Sequence, residues 1–371
     1  MAIEGDGAMD NGFEERFQVL HEVVAAARVN LNQNIWDYLV GGTATETTVR
    51  RNRMALDRIG FRPRVLQSVD AVDTTATFLG HTIRLPLTLS PVGGLEQIGA
   101  GGGETVARGA GMAGVPFFLS SVSEPPMEVV AAAATGPKVF QLYVRGDGAW
   151  VDDHVRRAVD GQWDAFCITV DSALYSRRER DIAKRFTKPW RARSPGMEYQ
   201  ARLNWDDIKR FKDKHAVKLI LKGIATAEDA ARACEMGVEG IYVSNHGGRQ
   251  LDHGAGSMEV LQEVLEAVDG RAFTIVDGGI NRGSDIVKAI AMGADLVGMG
   301  RLYCYGMAAG GAEGIARVIE LLEIEVAECL GLLGVTSFGQ LDRSYLRRVD
   351  AVAEASVLSA FPLLNVAEYR Y

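Results

Sequence analysis

From Leu85 onward the chain alternates short apolar runs with longer stretches whose apolar residues recur every three or four positions. The runs are Leu85–Ser90, Pro116–Ser121, Val139–Val144, Ala165–Asp171, Lys218–Lys222, Gly240–Asn245, Phe273–Asp277 and Leu296–Gly300. They are too short for helices and predict eight strands, each followed by a helical stretch. Eight such pairs predict an α/β fold of the (β/α)8 TIM-barrel type. Ahead of the barrel, Phe13 to Val29 has helical spacing, and Ile35–Leu39 followed by Gly41-Gly42 predicts a helix with a glycine stop. Phe61-Arg62-Pro63-Arg64 predicts extended chain. The division is an N-terminal helical segment over 1–84 and a barrel over 85–371, one structural domain overall. Gly310 to Leu333, with Ile315, Val318, Ile319, Leu322, Val326 and Leu330 in register, predicts the closing barrel helix.

The strand bodies are apolar, but polar residues stand where they end. In order these are Ser90-Pro91, Ser120-Ser121, Gln141 and Tyr143, Thr169 and Asp171, Lys222, Ser244 to His246, Asp277, and Arg301. In a barrel these positions converge on the face that carries chemistry. The richest is Ser244-Asn245-His246-Gly247-Gly248-Arg249-Gln250-Leu251-Asp252. An imidazole that exchanges a proton near neutral pH, three residues from a guanidinium that can grip a carboxylate, suggests proton abstraction from a small organic acid. The plainer alternative is a hydrogen-bonded histidine and a surface arginine. Asp277-Gly278-Gly279-Ile280-Asn281-Arg282-Gly283 and Gly298-Met299-Gly300-Arg301 follow the seventh and eighth strands, where barrels cradle phosphate on backbone N–H groups. No GxGxxG follows an early strand, which disfavours a nicotinamide dinucleotide. Lys222 ends an apolar strand and needs an anion, either a ligand's or a salt-bridge partner's.

Composition narrows the classes. The 371 residues carry a formal net charge of −8, which argues against nucleic acid as a partner. Cys167, Cys234, Cys304 and Cys329 share no metal-type spacing and fit a reduced compartment. Met1 to Asn11 is polar, and no apolar run is long enough to span a bilayer, so a cytoplasmic, membrane-free protein is expected. The longest irregular stretch, 177–202, is strongly basic, with Arg177, Arg178, Arg180, Lys184, Arg185 and Lys188 among its cations. It reads equally as a functional lid or as a solvated charged loop.

The Ser244–Asp252 motif resembles the signature of the FMN-dependent L-2-hydroxy acid oxidase and dehydrogenase family, and the resemblance runs from about Trp36 to about Gly334. It implies FMN held by Pro91, Val92, Gly93, Ser120, Gln141, Tyr143, Thr169, Lys222, Ser244, Asp277, Gly278, Gly279, Gly300 and Arg301, with Lys222 beside the reduced flavin. Family members place an arginine two residues after Gly279; here that residue is Asn281, which leaves Arg282 or Arg301 for the phosphate. The resemblance makes His246 the base, Asp171 its orienting carboxylate, Arg249 and Arg178 the carboxylate clamp, and Tyr38 and Tyr143 the hydroxyls on the substrate's oxygens. The implied reaction converts a 2-hydroxy acid to a 2-oxo acid, with oxygen, a quinone or another protein as final acceptor, in a homotetramer or octamer. Val122 replaces a tryptophan of glycolate oxidase-like members and Ala173-Leu174 replaces Pro-Arg, so a substrate larger than glycolate, mandelate-like or long-chain, is expected. Gly93 hints at a dehydrogenase. A silent FMN-binding module and a non-flavin aldolase or isomerase barrel are the competing classes.

Overall fold

The computed structural model describes residues 12–192 and 195–365. All eight expected strands form: β1 (Leu87–Leu89), β2 (Phe117–Ser120), β3 (Lys138–Leu142), β4 (Ala165–Thr169), β5 (Leu219–Ile224), β6 (Gly240–Val243), β7 (Phe273–Val276) and β8 (Leu296–Met299). Each pairs in parallel with the next, and β8 returns to β1 with Val297 opposite Leu87, which closes the barrel. The helices between them are α1 (Gly103–Ala113), α2 (Met127–Ala133), α3 (Gly148–Asp160), α4 (Trp205–Lys214), α5 (Ala227–Glu235), α6 (Ser257–Val268), α7 (Gly283–Met292) and α8 (Arg301–Leu333).

Alternation along the strands sorts the core into two layers. Val139, Ala165, Cys167, Ile220, Tyr242 and Ile275 pack inside the barrel. Their chain neighbours Phe140, Phe166, Leu219, Leu221 and Ile241 face the helices. The floor is closed by a hairpin, Ala76–Phe78 with His81–Ile83, whose Phe78 and Ile83 join the inner layer. Burial of each such side chain contributes about 1.5–3 kcal/mol. With the bottom sealed, polar chemistry is left to the C-terminal mouth.

Four elements differ from the expectation. Phe13–Val29 is two helices, Phe13–Arg16 and Leu20–Asn30, because the Glu22 carboxylate accepts from the N–H groups of Gln18 and Val19 and starts a new helix there. A helix over Thr47–Asp57 was not anticipated; it buries Thr48, Asn52 and Arg53 alongside Val49, Ala55 and Leu56. The last barrel helix begins at Arg301, not Gly310, and its backbone breaks at Gly310 and Gly311. The Phe13 ring occupies that break, so close that a Cβ on Gly310 would lie 2.1 Å from it. The basic stretch after β4 folds into short helices, Glu179–Ala183, Pro189–Ala192 and Met197–Arg202. Arg180 binds Glu46 through two hydrogen bonds (2.6 and 2.7 Å), and Lys184 pairs with Asp37. Gln200, 2% exposed, donates to the Thr169 carbonyl and accepts from Val144 N–H. The described part of the segment is therefore tied to the barrel mouth at these points, while Arg177, Arg180, Lys184 and Arg185 remain exposed. Among the described residues no helix is long and apolar enough to cross a membrane.

Candidate active site

The mouth holds a cleft bounded by the lid, the Tyr38 helix (Gln33–Val40), the Thr47–Asp57 helix and the loops after β1, β6, β7 and β8. After β6 the backbone turns through three successive left-handed residues, His246 (φ 60°), Gly247 (φ 62°) and Gly248 (φ 75°). Only glycine takes such angles freely, so a left-handed histidine is a strained position that the surrounding contacts hold. The turn aims the imidazole into the cleft. Its Nδ1 lies 3.1 Å from Asp171 Oδ1 and its Nε2 3.1 Å from the Tyr143 hydroxyl. Facing the carboxylate, Nδ1 carries the proton and Nε2 presents the lone pair. Burial lowers the His246 pKa below the usual histidine value, against the opposing pull of Asp171. Burial works to raise Asp171, but His246 and Lys222 outweigh it and keep its carboxyl below the ordinary range. Asp171 Oδ2 is buried without a partner.

Two guanidiniums face this pair across the cleft. Arg249 donates through Nη1 to the carbonyls of Tyr38 (2.6 Å) and Gly41 (2.8 Å), while its Nη2 is buried and unpartnered. Burial and the neighbouring Arg178 bring its pKa down to about 9, the mark of a cation held at a cost that an incoming anion relieves. Arg178 likewise has a buried, unpartnered Nε. Tyr38 sits under Arg249, 4.7 Å from ring centroid to guanidinium, and donates its hydroxyl to the Gly93 carbonyl (2.9 Å). Burial raises the hydroxyl pKa of both Tyr38 and Tyr143, so each is a neutral donor.

Behind the cleft a polar relay spans β5, β6 and β7. Lys222 Nζ donates to Ser244 Oγ (2.8 Å), which donates to Asp277 Oδ1 (2.7 Å), and Lys222 lies 3.3 Å from Asp277 Oδ2. Burial opposes the ammonium, yet Asp277 and Asp171 raise its pKa, so it stays charged. A register shift between Lys222 and Ile224 creates this aim. Gly223 at the shift has φ 112°, and a Cβ there would lie 2.6 Å from the Asp171 Cβ. Ser120, Gln141 and Thr169 are fully buried beside the relay; Gln141 donates to Thr169 Oγ1 (2.8 Å) and its Oε1 has no partner.

At the far end the loops after β7 and β8 bring Gly278, Gly279, Asn281, Gly300 and Arg301 to the cleft wall. Arg282, expected there, is elsewhere: its guanidinium pairs with Glu325 of α8 and donates to the Ala360 carbonyl. A carboxylate outside the loop has captured it. Arg301 remains, with bonds to the carbonyls of Leu39, Gly41 and Gly247. A second cation, missed from sequence, is Arg53, which lines the cleft while gripping Asp285 through two bonds (2.7 and 2.9 Å). Pro91, Val92 and Gly93 line the cleft as expected. Also unforeseen were Asn52, Arg145, Tyr175 and Trp190. Tyr143-Val144-Arg145 and Leu174-Tyr175 follow β3 and β4, so the rule that pointed to Tyr143 and Asp171 could have found Arg145 and Tyr175; nothing local marks Asn52 or Trp190.

The sequence profile of the FMN-dependent dehydrogenase family matches residues 27–348. The chain belongs to this family. It is 35% identical over 359 residues to an L-lactate oxidase of Nostoc sp., covering 88% of this chain and 97% of that one. It is 37% identical over 347 residues to a peroxisomal (S)-2-hydroxy-acid oxidase of Oryza sativa subsp. japonica, covering 88% and 95%. Among solved structures, mandelate oxidase with (S)-2-phenylpropionate superposes with a TM-score of 0.84 at 36% identity, covering 91% of this chain and all of that one. A mandelate oxidase variant with the C4a-OH-FMN adduct superposes with a TM-score of 0.82 at 36% identity, covering 90% of this chain and all of that one. The family member described here is an FMN-dependent oxidoreductase that acts on the CH–OH group of a 2-hydroxy acid.

The residues present fit FMN. Lys222 is a buried cation suited to the charge of a reduced flavin, and the orphaned Gln141 Oε1 is an acceptor awaiting a donor. At the phosphate end a Cβ on Gly300 would meet nothing within 4 Å, so the backbone lies open at the start of α8 beside Arg301.

Proposed function

We propose that this chain oxidises a 2-hydroxy acid whose substituent at C2 is larger than that of glycolate, with oxygen as the final acceptor. The observation that carries the reading is a pair of buried guanidinium nitrogens without a protein acceptor, Arg178 Nε and Arg249 Nη2, in the same cleft as the His246–Asp171 pair. Two orphaned cationic donors in one wall call for a carboxylate. A base within the same cleft calls for a proton to be taken from the carbon-bound part of that molecule.

In this reading Arg178 and Arg249 grip the substrate carboxylate and fix its reacting carbon. The hydroxyls of Tyr38 and Tyr143 orient the substrate oxygens. Tyr143 yields Nε2 of His246 to the substrate, which gives up a proton there, and Asp171 stabilises the resulting imidazolium. FMN, when bound, supplies the two-electron acceptor, with Lys222 favouring its reduced charge and Ser120, Gln141, Thr169, Ser244 and Asp277 holding its ring. The phosphate falls to Arg301, with Gly279, Gly300 and Asn281. The lid and the Tyr38 helix exclude water. An apolar wall of Val122, Leu174, Trp190 and Met197 supports the larger substituent. Val122 does not simply leave a gap: Trp190 of the lid flanks Gly93 with it, so an aromatic surface stands there to meet an aryl or long alkyl group.

The test is anaerobic titration of the flavin-loaded protein with a panel of 2-hydroxy acids, followed by air. Loss of the oxidised-flavin absorbance with a mandelate-like acid at lower concentration than glycolate, and rapid return in air, is the expected result. Equal efficiency on glycolate refutes the size preference, and return only with an added quinone or protein acceptor refutes oxygen.

A further inference from the structure

Beyond α8 the chain returns to the barrel mouth at the end assigned to the phosphate. Leu346–Arg348 pairs antiparallel with Ile59–Phe61, just past the Thr47–Asp57 helix, and Val349 N–H donates to the Arg58 carbonyl (2.9 Å). Residues 353–355 then follow the outer side of that helix, where with Arg50, Arg51 and Arg58 they line a second cavity. Val357 comes next and lines the cleft together with Asn52, Arg53, Gly279 and Asn281. Among the described residues it is the only one beyond Cys304 that does so.

Two contacts fasten the chain after Val357. The Phe361 side chain is fully buried and stands edge-on to the His21 ring, with centroids 5.8 Å apart and planes at 87°. Both His21 ring nitrogens are buried without a partner, so what the imidazole offers there is a packing surface. Ala360 gives its carbonyl to Arg282 Nη1 (3.3 Å), and Arg282 is itself fixed by Glu325 of α8. Val357 sits inside a turn closed by two serines: Ser359 Oγ accepts from Ser356 N–H (3.0 Å) and donates to the Ser356 carbonyl (2.9 Å). Segment 349–361 is thus tied down on both sides of the one residue it lends to the cleft.

Charge alone holds an anion weakly at this end. Asn281 carries none, Arg282 is occupied by Glu325, and Arg53 by Asp57 and Asp285. Arg301, bonded to carbonyls alone, is left with the backbone N–H groups. A ligand held by so few charges stays longer where its way out must first open.

We propose that segment 349–361 is a strap that retains the cofactor: Val357 shuts the phosphate end of the cleft, Phe361 and Arg282 hold it shut, and FMN leaves only when the Phe361 anchor comes out. Arg282 then serves the phosphate by positioning the strap and not by touching the anion. The inference rests on FMN as the cofactor with its phosphate at Arg301 and Asn281, and not on which acid is oxidised.

FMN release from the full-length holoprotein is timed after a large dilution, by the fluorescence of free flavin, and compared with release of riboflavin, which lacks the phosphate. Phe361→Ala and Val357→Gly are each expected to raise the FMN release rate by about tenfold or more and the riboflavin rate by less than about twofold. Phe361→Leu, which keeps an apolar anchor, is expected to stay nearer to wild type. An FMN rate that neither variant changes overturns the proposal, as does a riboflavin rate raised by the same factor, the mark of general loosening. The wild-type chain supplies a test that no folding defect can blur. Binding and closure are reciprocal, so amide exchange over 356–361 is expected to slow by about tenfold when FMN binds, and equal exchange with and without FMN overturns the proposal. If the chain binds no FMN at all, the cofactor assignment fails, a result distinct from FMN bound and released at a rate the strap does not govern.

Discussion

Asp171→Asn isolates the charge behind the base. Asparagine keeps the shape and can still accept from His246 Nδ1, which is 3.1 Å from Asp171 Oδ1. The amide NH2 falls at Oδ2, which has no protein partner, so little packing is disturbed. The loss is the attraction between a carboxylate and the imidazolium formed as the proton arrives. At about 4 Å between charge centres and an effective dielectric near 20 this is worth about 4 kcal/mol. Fully developed in the transition state it is about three decades in rate, and partly developed it is about two. The limiting rate of anaerobic flavin reduction, read by stopped flow with saturating 2-hydroxy acid, is therefore expected to fall by about 10²–10³. Asp171 raises the His246 pKa against burial, so its removal lowers that pKa further, and the acid limb of kcat/KM moves to lower pH. Binding of an unreactive carboxylate analogue, held by Arg178 and Arg249, is expected to stay within roughly threefold. A rate within roughly threefold of wild type, or an acid limb that moves upward, refutes the assignment of Asp171 as the partner of the base.

Substitutions at three further positions probe the scaffold of the site. Arg249→Met removes one jaw of the carboxylate clamp and is expected to weaken carboxylate binding by roughly 10- to 150-fold. Arg249→Lys is expected not to rescue it, since a single ammonium cannot hold the Tyr38 and Gly41 carbonyls, as Nη1 does, and also present a second nitrogen to the carboxylate, as Nη2 does; perturbation of the flavin spectrum by an analogue reads both. Arg53→Met strips the buried Asp285 of its two-bond partner and is expected to cost about 3–5 kcal/mol in urea unfolding. Asp285 titrates below the usual carboxylate value because Arg53 overcomes the effect of burial. Its stabilisation is present above the unfolded value of 3.8 and lost as pH falls through the folded one, so Arg53→Met should also flatten the acid limb of stability. Gly223→Ala puts a Cβ 2.6 Å from that of Asp171 on a backbone at φ 112°, and is expected to lower the reduction rate and the melting temperature together; a variant with both unchanged refutes the role given to the β5 bulge.

The barrel was legible because its strands are apolar runs ended by polar residues, a local signal that the pleat and the sealed floor then use. His246, Asp171, Tyr143, Lys222 and Arg249 were legible for the same reason, each standing at or just past a strand end. What escaped depends on distant partners. The Thr47–Asp57 helix looks solvent-exposed, with three arginines in its middle, and the burial of Arg53 depends on Asp285, 232 positions away. Arg282 looked like a phosphate ligand from its glycine neighbours, and Glu325 on α8 decided otherwise. The lid looked like open charged chain because its cations are spent on Glu46, Asp37 and Asp181, only the last of which is nearby. Trp190 became a cleft wall through packing against Gly93 and Gly94, nearly a hundred positions earlier.

Arg301 joins the Tyr38 helix, the Gly41 turn and the His246 loop, and it does so through main-chain carbonyls alone, those of Leu39, Gly41 and Gly247. The contacts read only carbonyls, yet two of the three partners are held to glycine: a Cβ on Gly41 would lie 2.6 Å from the Asp37 carbonyl, and one on Gly247 2.9 Å from Arg301 Nη1. The guanidinium is fixed as well, because its fork of donors spans the 39–41 stretch and the His246 loop at once. The mouth of the barrel is thus keyed to one side chain and to the side-chain-free backbone that it grips.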